Sequence, residues 1–559
     1  MSTHRRAARL GVCGLVVMAI LAGPRAIGGA AAEGTPRERV VLVALGDSLT
    51  QGTMNATDNS VNTQNAYLQR VADKLRMVLN LRFTQPLLDF NEKRLRPFTI
   101  PTNLGVDGAD SFTLEGKEYH QRVGATEDVV SPDLLCDRIF LTRKDDFYDK
   151  VLYPIDLLAG KPVSQVDAAV WTLTEGVKLQ RAKKALAVVW IGNNDSSTAA
   201  LGGGGANPQF APFPFHQVEA ELKPGLRYLL RFAESGGHVS FAPYTQAAIE
   251  RNLTDLSDFA TQFDHLMNRL TTETADSSAD IDWLVMTLAY YSAVGYLIDS
   301  EDLEFYIGKY IPGYTVPASF ARVADPGQPI TEPLRGDRVS LLTFGFMLSL
   351  AATGHSAQEV NAVLDDHGTQ QDGLVLNQAE QQFIMRRIDG FNHVIRMVAA
   401  SHGPKVHVVD VGPYLNAALT GRHPIFAGSK QLTRKWSRGA SFSLDGVHPS
   451  YTAQSLIANF VLKRINHIFD LRAPRYDLGQ VLQTDPYYDR DGDGWVPGTN
   501  DPASGTTKLL FLLRDTDDTD PSKQARIPPD VWDQISTMLL HQFLGIKAVA
   551  TEARRMGIR

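Results

Sequence analysis

Apolar positions along the chain follow two rhythms. Continuous apolar runs occur at Val40 to Leu45 and Ala185 to Ile191, and further strands fit Trp283 to Leu288 and Val406 to Val411. Short runs without polar alternation fit strands covered on both faces. Between them the apolar residues recur every three or four positions. The first such set is Tyr67, Leu68, Val71, Leu75, Val78 and Leu79. A second stripe runs through Leu253, Leu256, Phe259, Phe263, Leu266, Met267 and Leu270, and helices also fit about 379–400 and Tyr451 to Ile468. Strand and helix alternate to about residue 470, which predicts an α/β fold with a parallel sheet and crossover helices.

Three stretches break the rhythm. Residues 110–180, about 196–250 and about 290–376 are far longer than the two to six residues usual between α/β elements, and read as insertions that wall a site on the sheet. Beyond 471 the chain turns rich in Pro, Asp and Tyr before an amphipathic stretch near Val531 to Phe543, so 471–559 is expected to be an appended segment. A folded unit at 38–470 leaves room in the 559 residues for that extension and for a leader.

The first 32 residues have the three parts of a secretory signal: Arg5, Arg6 and Arg9, an apolar stretch from Leu10 to Ala22, and Ala30-Ala31-Ala32 before Glu33. The apolar stretch is short for about 30 Å of hydrocarbon, so cleavage and export are expected, to a secreted or periplasmic location. The longest later uncharged runs, Leu284 to Ile298 and Val339 to Gly354, are also too short to span a membrane. Cleavage would remove four Arg and no acid, leaving 51 basic against 62 acidic residues. An acidic chain without basic clusters argues against a nucleic-acid partner. Only Cys136 would survive cleavage, so the fold must rest on its core rather than on an internal disulfide.

The chemistry-bearing residues stand at strand exits. Gly46-Asp47-Ser48-Leu49 follows the first strand, and Gly192-Asn193-Asn194-Asp195 follows the second long one. Between them lies Asn103-Leu104-Gly105-Val106-Asp107-Gly108, and near the end stands Asp445-Gly446-Val447-His448-Pro449. Carboxyl ends of parallel strands are where open α/β sheets place ligands. Each block alone is also ordinary turn or helix-cap chemistry.

The four blocks in this order resemble the GDSL, or SGNH, hydrolases, and the likeness spans about residues 38–470. It is nearest to secreted bacterial GDSL lipases or esterases with large insertions, through Trp190 to Asp195 and Phe442 to Asn459. The resemblance implies a three-layer fold with a central parallel sheet. It also implies Ser48 as nucleophile, His448 as base, Asp445 as its orienting acid, and an oxyanion hole made by the Ser48 and Gly108 N–H groups and the Asn194 amide. The second glycine of an ordinary α/β-hydrolase elbow is replaced by Thr50, which disfavours that fold.

This set makes chemical sense without the name. A Ser hydroxyl needs a base within hydrogen-bond reach, and the base needs an orienting carboxylate. Asp445 and His448, three residues apart, can supply both. The expected activity is carboxylic ester hydrolysis through an acyl-enzyme, with no cofactor required. The ester substrate would be a lipid, an acylated small molecule or a sugar. The apolar runs Leu284 to Ile298 and Leu341 to Leu350 would serve an acyl chain or the core equally well. The alternative is a catalytically weak, calcium-braced secreted binding module on the same fold.

Calcium enters through Asp489, Asp491 and Asp493, with Gly494 at the sixth position of an EF-hand-like loop. The usual acid at position 12 is missing, since Asn500 stands there, and Asp515 to Asp520 is a second acidic run. A structural calcium in the C-terminal segment is therefore an expectation separate from the ester chemistry. The remaining histidines lack paired ligand spacing, and Gly202 to Gly205 lacks the Gly-Lys-Ser/Thr of a phosphate loop.

Overall fold

The computed structural model of the chain describes residues 38–54, 58–89, 93–117, 119, 147–202, 249–250, 252–323, 335–352, 354–364, 375–492, 494 and 496. In chain order its strands are Arg39–Gly46 (β1), Asn80–Arg82 (β2), Lys184–Trp190 (β3), Asp280–Met286 (β4), Leu297–Ile298 (β5), Arg338–Ser340 (β6), Val375–Leu376 (β7), Val406–Val409 (β8), Ile425–Ala427 (β9) and Lys430–Leu432 (β10). Five of them form one sheet in the order β2-β1-β3-β4-β8, and every pairing in it is parallel. Leu42 lies beside Leu186, Ala187 beside Trp283 and Val285 beside Val408.

Val41 to Leu45 are all fully buried. Neighbours in a strand point to opposite faces, so both faces of the sheet are covered and the fold is three-layered. Two groups of helices supply the cover. Tyr67–Arg76 packs on Tyr451–Ile468, and Leu256–Glu273 packs on Gln378–Ser401 and Gln165–Trp171. The helix starts are written in side chains that satisfy the first free N–H groups. Asp255 caps one, Ser450 caps another, and Asn377 forms a reciprocal box with Glu380.

The strand and helix order expected from the rhythm is present, with shifted ends. β4 begins at Asp280 and ends at Met286, because the Leu288 N–H leaves the sheet for the Asn392 side chain at 2.7 Å. β2 has no apolar run behind it and is held by pairing to β1 and by the buried side chain of Leu81. The 290–376 insertion carries structure of its own, an antiparallel sheet in the order β5-β6-β7 with helices Ser300–Ile307 and Leu341–Ala352. The uncharged run at 341–352 serves that packing through buried Phe344, Met347 and Leu348.

The described part of the C-terminal segment packs against the sheet unit. Leu482, Tyr487 and Val496 are buried in the same core, and the Asp485 carboxylate accepts from the Thr452 N–H and hydroxyl at 2.7 and 2.6 Å. No helix among the described residues is long and apolar enough to cross a membrane. The expected leader at 1–32, Cys136, Gly203 to Gly205, most of the 196–250 insertion and the amphipathic stretch Val531 to Phe543 lie outside the described residues.

Candidate active site

β1 ends at Gly46, where a side chain cannot fit: an added Cβ would sit 2.2 Å from the Trp190 carbonyl oxygen and 2.3 Å from the Thr50 hydroxyl. The chain can therefore turn at once into a one-turn helix, Ser48–Gln51, capped by Asp47. Ser48 opens this turn and is 8% exposed, at the carboxyl end of the sheet.

The second block reaches Ser48 by running alongside β1. Leu104 N–H donates to the Ala44 carbonyl at 2.8 Å and Val106 N–H to the Gly46 carbonyl at 3.0 Å. The Asn103 amide donates to the Thr50 carbonyl at 2.7 Å, and Asp107 N–H to the Gln51 side chain at 2.5 Å. Gly105 must stay small, since a Cβ there would meet the Gln51 nitrogen at 2.6 Å. These bonds carry Gly108, exposed and in the left-handed region at φ +77°, to the turn that holds Ser48.

The third block closes the group from β3. Asn193 donates to the Asp47 carboxylate at 2.8 Å, and Asn194 donates to the Ala109 carbonyl at 2.8 Å, beside Gly108. Asp195 is fully buried and accepts from the Ser111 N–H at 3.0 Å, the Ser111 hydroxyl at 2.6 Å and the Thr254 hydroxyl at 2.9 Å. The Ser48 and Gly108 N–H groups have no partner among the described residues. Two free N–H groups and a half-buried amide thus meet around one turn, as a developing oxyanion requires.

Asp445 and His448 form a closed pair. The His448 Nδ1 lies 2.7 Å from Asp445 Oδ2, while Asp445 Oδ1 accepts from the Ser443 hydroxyl and the Val447 and His448 N–H groups at 2.8 to 2.9 Å. Burial opposes a charged imidazole, yet the Asp445 charge and hydrogen bond outweigh it and hold His448 up at about 9, helped by Asp107 and Asp58. Asp445 is lowered although burial works the other way, because His448 and the N–H groups favour its charged form. Burial pushes Asp47 up to about 7 against the opposing pull of Asn193, Leu49 and His448.

His448 thus stands within electrostatic reach of Asp47 and Asp107, the neighbours of Ser48 and Gly108. No hydrogen bond joins the Ser48 hydroxyl to His448 among the described residues. The relay is closed from carboxylate to imidazole and open from imidazole to hydroxyl, a gap common in empty sites that tightens with substrate.

Several positioning groups escape the sequence reading. Asp47, Asn193, Gln51 and Asn103 stitch the blocks together, and Tyr291 supports them by donating to the Asn193 carbonyl at 2.9 Å. Their only signal is adjacency to a motif. Trp436 is similarly silent in sequence, yet its indole N–H holds the Leu444 carbonyl at 2.9 Å, one residue before Asp445.

At the acidic loop, Asp489 is 3% exposed and its carboxylate accepts from the Gly492 and Gly494 N–H groups at 2.8 and 2.9 Å. Burial and the nearby Asp491 carboxyl, against the pull of the Gly494 N–H, raise its affinity for a proton. Asp493, Asn500 and the run at 515–520 lie outside the described residues. Among the described residues no three His, Cys, Asp or Glu groups converge as a metal site would need.

Residues 42–289 match the family model described as GDSL-like Lipase/Acylhydrolase, a span that holds Ser48, Gly108 and Asn194 and ends before Asp445 and His448. Neither a curated protein nor a solved structure matches the chain. The match agrees with the five-stranded parallel sheet and with the blocks beside it, and residues 42–289 are a GDSL-like Lipase/Acylhydrolase domain on an SGNH-like α/β fold.

Proposed function

We propose that the protein is an exported serine esterase or lipase that cleaves carboxylic esters through an acyl-enzyme. The observation that carries this reading is the grouping of three oxyanion-type donors, from the Ser48 turn, the Gly108 loop and the Asn194 block, within electrostatic reach of the buried Asp445–His448 pair. In the proposed cycle the ester carbonyl carbon approaches Ser48, and His448 Nε2 takes the hydroxyl proton as Oγ attacks. The carbonyl oxygen becomes an oxyanion held by the Ser48 and Gly108 N–H groups and the Asn194 amide. Collapse breaks the ester C–O bond, and His448 returns its proton to the departing alcohol. Water then attacks the acyl-Ser48 carbonyl with His448 again as base, releasing the acid and restoring the hydroxyl.

Export rests on the leader-like pattern of residues 1–32. The two steps ask different things of the site, a base near neutrality and donors fixed before charge develops, and separate residues meet them here.

The test is hydrolysis of p-nitrophenyl acetate and longer p-nitrophenyl esters by the mature chain beside Ser48→Ala and Asn194→Ala. Turnover should vanish in the first. It should fall about 10²- to 10³-fold in the second with an unchanged unfolding curve, the usual cost of one oxyanion donor. Equal rates for wild type and Ser48→Ala would refute the enzymatic reading and favour a binding module.

A further inference from the structure

We infer that the strip Tyr291–Tyr296 is the acyl-side wall of the site and that Val294 sets which acyl groups it admits, an inference that rests on the esterase reading above. The strip leaves the carboxyl end of β4, the strand next to β3, whose exit carries Asn194. At one end the Tyr291 hydroxyl donates to the Asn193 carbonyl at 2.9 Å, one residue from the Asn194 amide. At the other end the Tyr296 N–H donates to the Gly446 carbonyl at 2.8 Å, two residues before His448. Close packing seals the second anchor. A Cβ on Gly295 would lie 3.2 Å from the Phe442 ring and 3.4 Å from the Gly446 oxygen.

Five residue steps reach at most about 18 Å when fully extended, so the strip runs directly from the oxyanion block to the base loop. Along it Ser292, Ala293 and Gly295 are buried, and between the two anchors Val294 alone keeps part of its side chain in solvent. Val294 Cα is at most about 7 Å from that of Tyr296, which is bonded to the base loop. Two other half-buried apolar side chains adjoin the reacting groups: Leu49 follows Ser48 and Val447 precedes His448.

The geometry of the tetrahedral intermediate then assigns the wall. Its carbon bears the serine oxygen, an oxyanion directed to the Gly108 and Asn194 donors, a leaving oxygen directed to His448, and the acyl chain. The first three directions are taken by polar groups. A strip joining the oxyanion block to the base loop, with one apolar side chain partly open, borders the direction left for the fourth. A single methylene in such a pocket changes selectivity about 10- to 200-fold, so one side chain is enough to set it.

The experiment measures kcat/KM of wild type, Val294→Phe and Val294→Ala on p-nitrophenyl acetate, butyrate and octanoate, with Ser48→Ala alongside and unfolding midpoints for all four proteins. The leaving group is constant, so only the acyl side is read. The octanoate-to-acetate ratio should fall at least 10-fold in Val294→Phe and rise in Val294→Ala. Ratios unchanged in both variants, while Ser48→Ala is inactive, would overturn the wall and leave the esterase reading standing. Hydrolysis by Ser48→Ala at the wild-type rate would instead overturn the esterase reading and the wall with it.

Discussion

On the proposed mechanism His448 acts as a base only when its imidazole is neutral, so the charge held on it by Asp445 would decide the pH at which Ser48 is activated. Burial alone would favour the neutral ring, but the Asp445 contact prevails and places the titration at about 9. On the proposed mechanism kcat/KM should rise with pH and level off near 9 rather than near the ordinary imidazole value of about 6.5. Replacing Asp445 by Asn removes the charge that raises it and frees the tautomer. The limb should move to lower pH while turnover drops about 10³- to 10⁴-fold. A pH–rate profile of both proteins reads the two effects separately. The same shift bears on folding: a raised imidazole stabilises the native state fully below about 6.5, and that contribution is lost as pH climbs through about 9.

Two elements hold the site in shape. The base loop rests on the 290–376 insertion through Gly446, whose φ of +72° and a would-be Cβ only 2.7 Å from the Tyr296 nitrogen leave no room for a side chain. Gly446→Ala should therefore displace the loop and lower kcat by more than tenfold, with a smaller effect on KM for acetate. Steady-state kinetics beside circular dichroism separates a shifted loop from an unfolded chain. The insertion is anchored in turn by Asp299, fully buried and bridged to Arg434 and Lys435.

The Gly108 loop has a different brace, the turn Thr113–Glu115, tied to helix Leu256–Glu273. The Glu115 carboxylate accepts from Gln262 at 2.6 Å and Arg269 at 3.2 Å, and lies 2.9 Å from His265. Burial would raise this carboxyl, but Lys117, Gln262 and His265 outweigh it and bring it down to about 2. A depressed acid stabilises above its ordinary range of about 4.5 and loses that contribution as pH falls toward 2. Glu115→Gln should flatten the fall in unfolding temperature across that window. An unchanged acid limb in calorimetry would show that the brace contributes nothing.

At the scale of the whole molecule, the segment after 470 is part of the folded unit as far as it is described. Tyr487 stacks edge-on against Tyr451 at 5.7 Å, the Tyr476 hydroxyl donates to the Arg70 carbonyl at 3.1 Å, and Asp485 holds the start of helix Tyr451–Ile468 just past His448. Burying Leu482 and Tyr487 contributes about 3 to 6 kcal/mol by area alone. A chain of residues 33–470 should unfold at least about 5 °C below one of residues 33–559 and, on the proposed function, lose part of its esterase activity. Scanning calorimetry of the two chains checks this, and equal midpoints would make the segment an independent appendage.

The order of strands β1, β3, β4 and β8 and of the long helices between and after them was legible in the sequence alone, because a strand covered on both faces is continuously apolar and a surface helix is apolar every third or fourth residue. Val41 to Leu45 and the stripe from Phe259 to Leu270 obey those rules without reference to anything distant. The candidate residues Ser48, Gly108, Asn194, Asp445 and His448 could be picked out too, since each stands in a short motif, two of them directly after strands β1 and β3. What only the tertiary structure decided is what fills the space between those motifs. The Asn193 bond to Asp47, the Tyr291 prop, the Gly446 seat on Tyr296 and the return of the C-terminal segment join residues from 98 to 406 positions apart. A side-chain hydrogen bond between such partners leaves no period in the chain, so neither residue reveals the other until the backbone brings them within 3 Å.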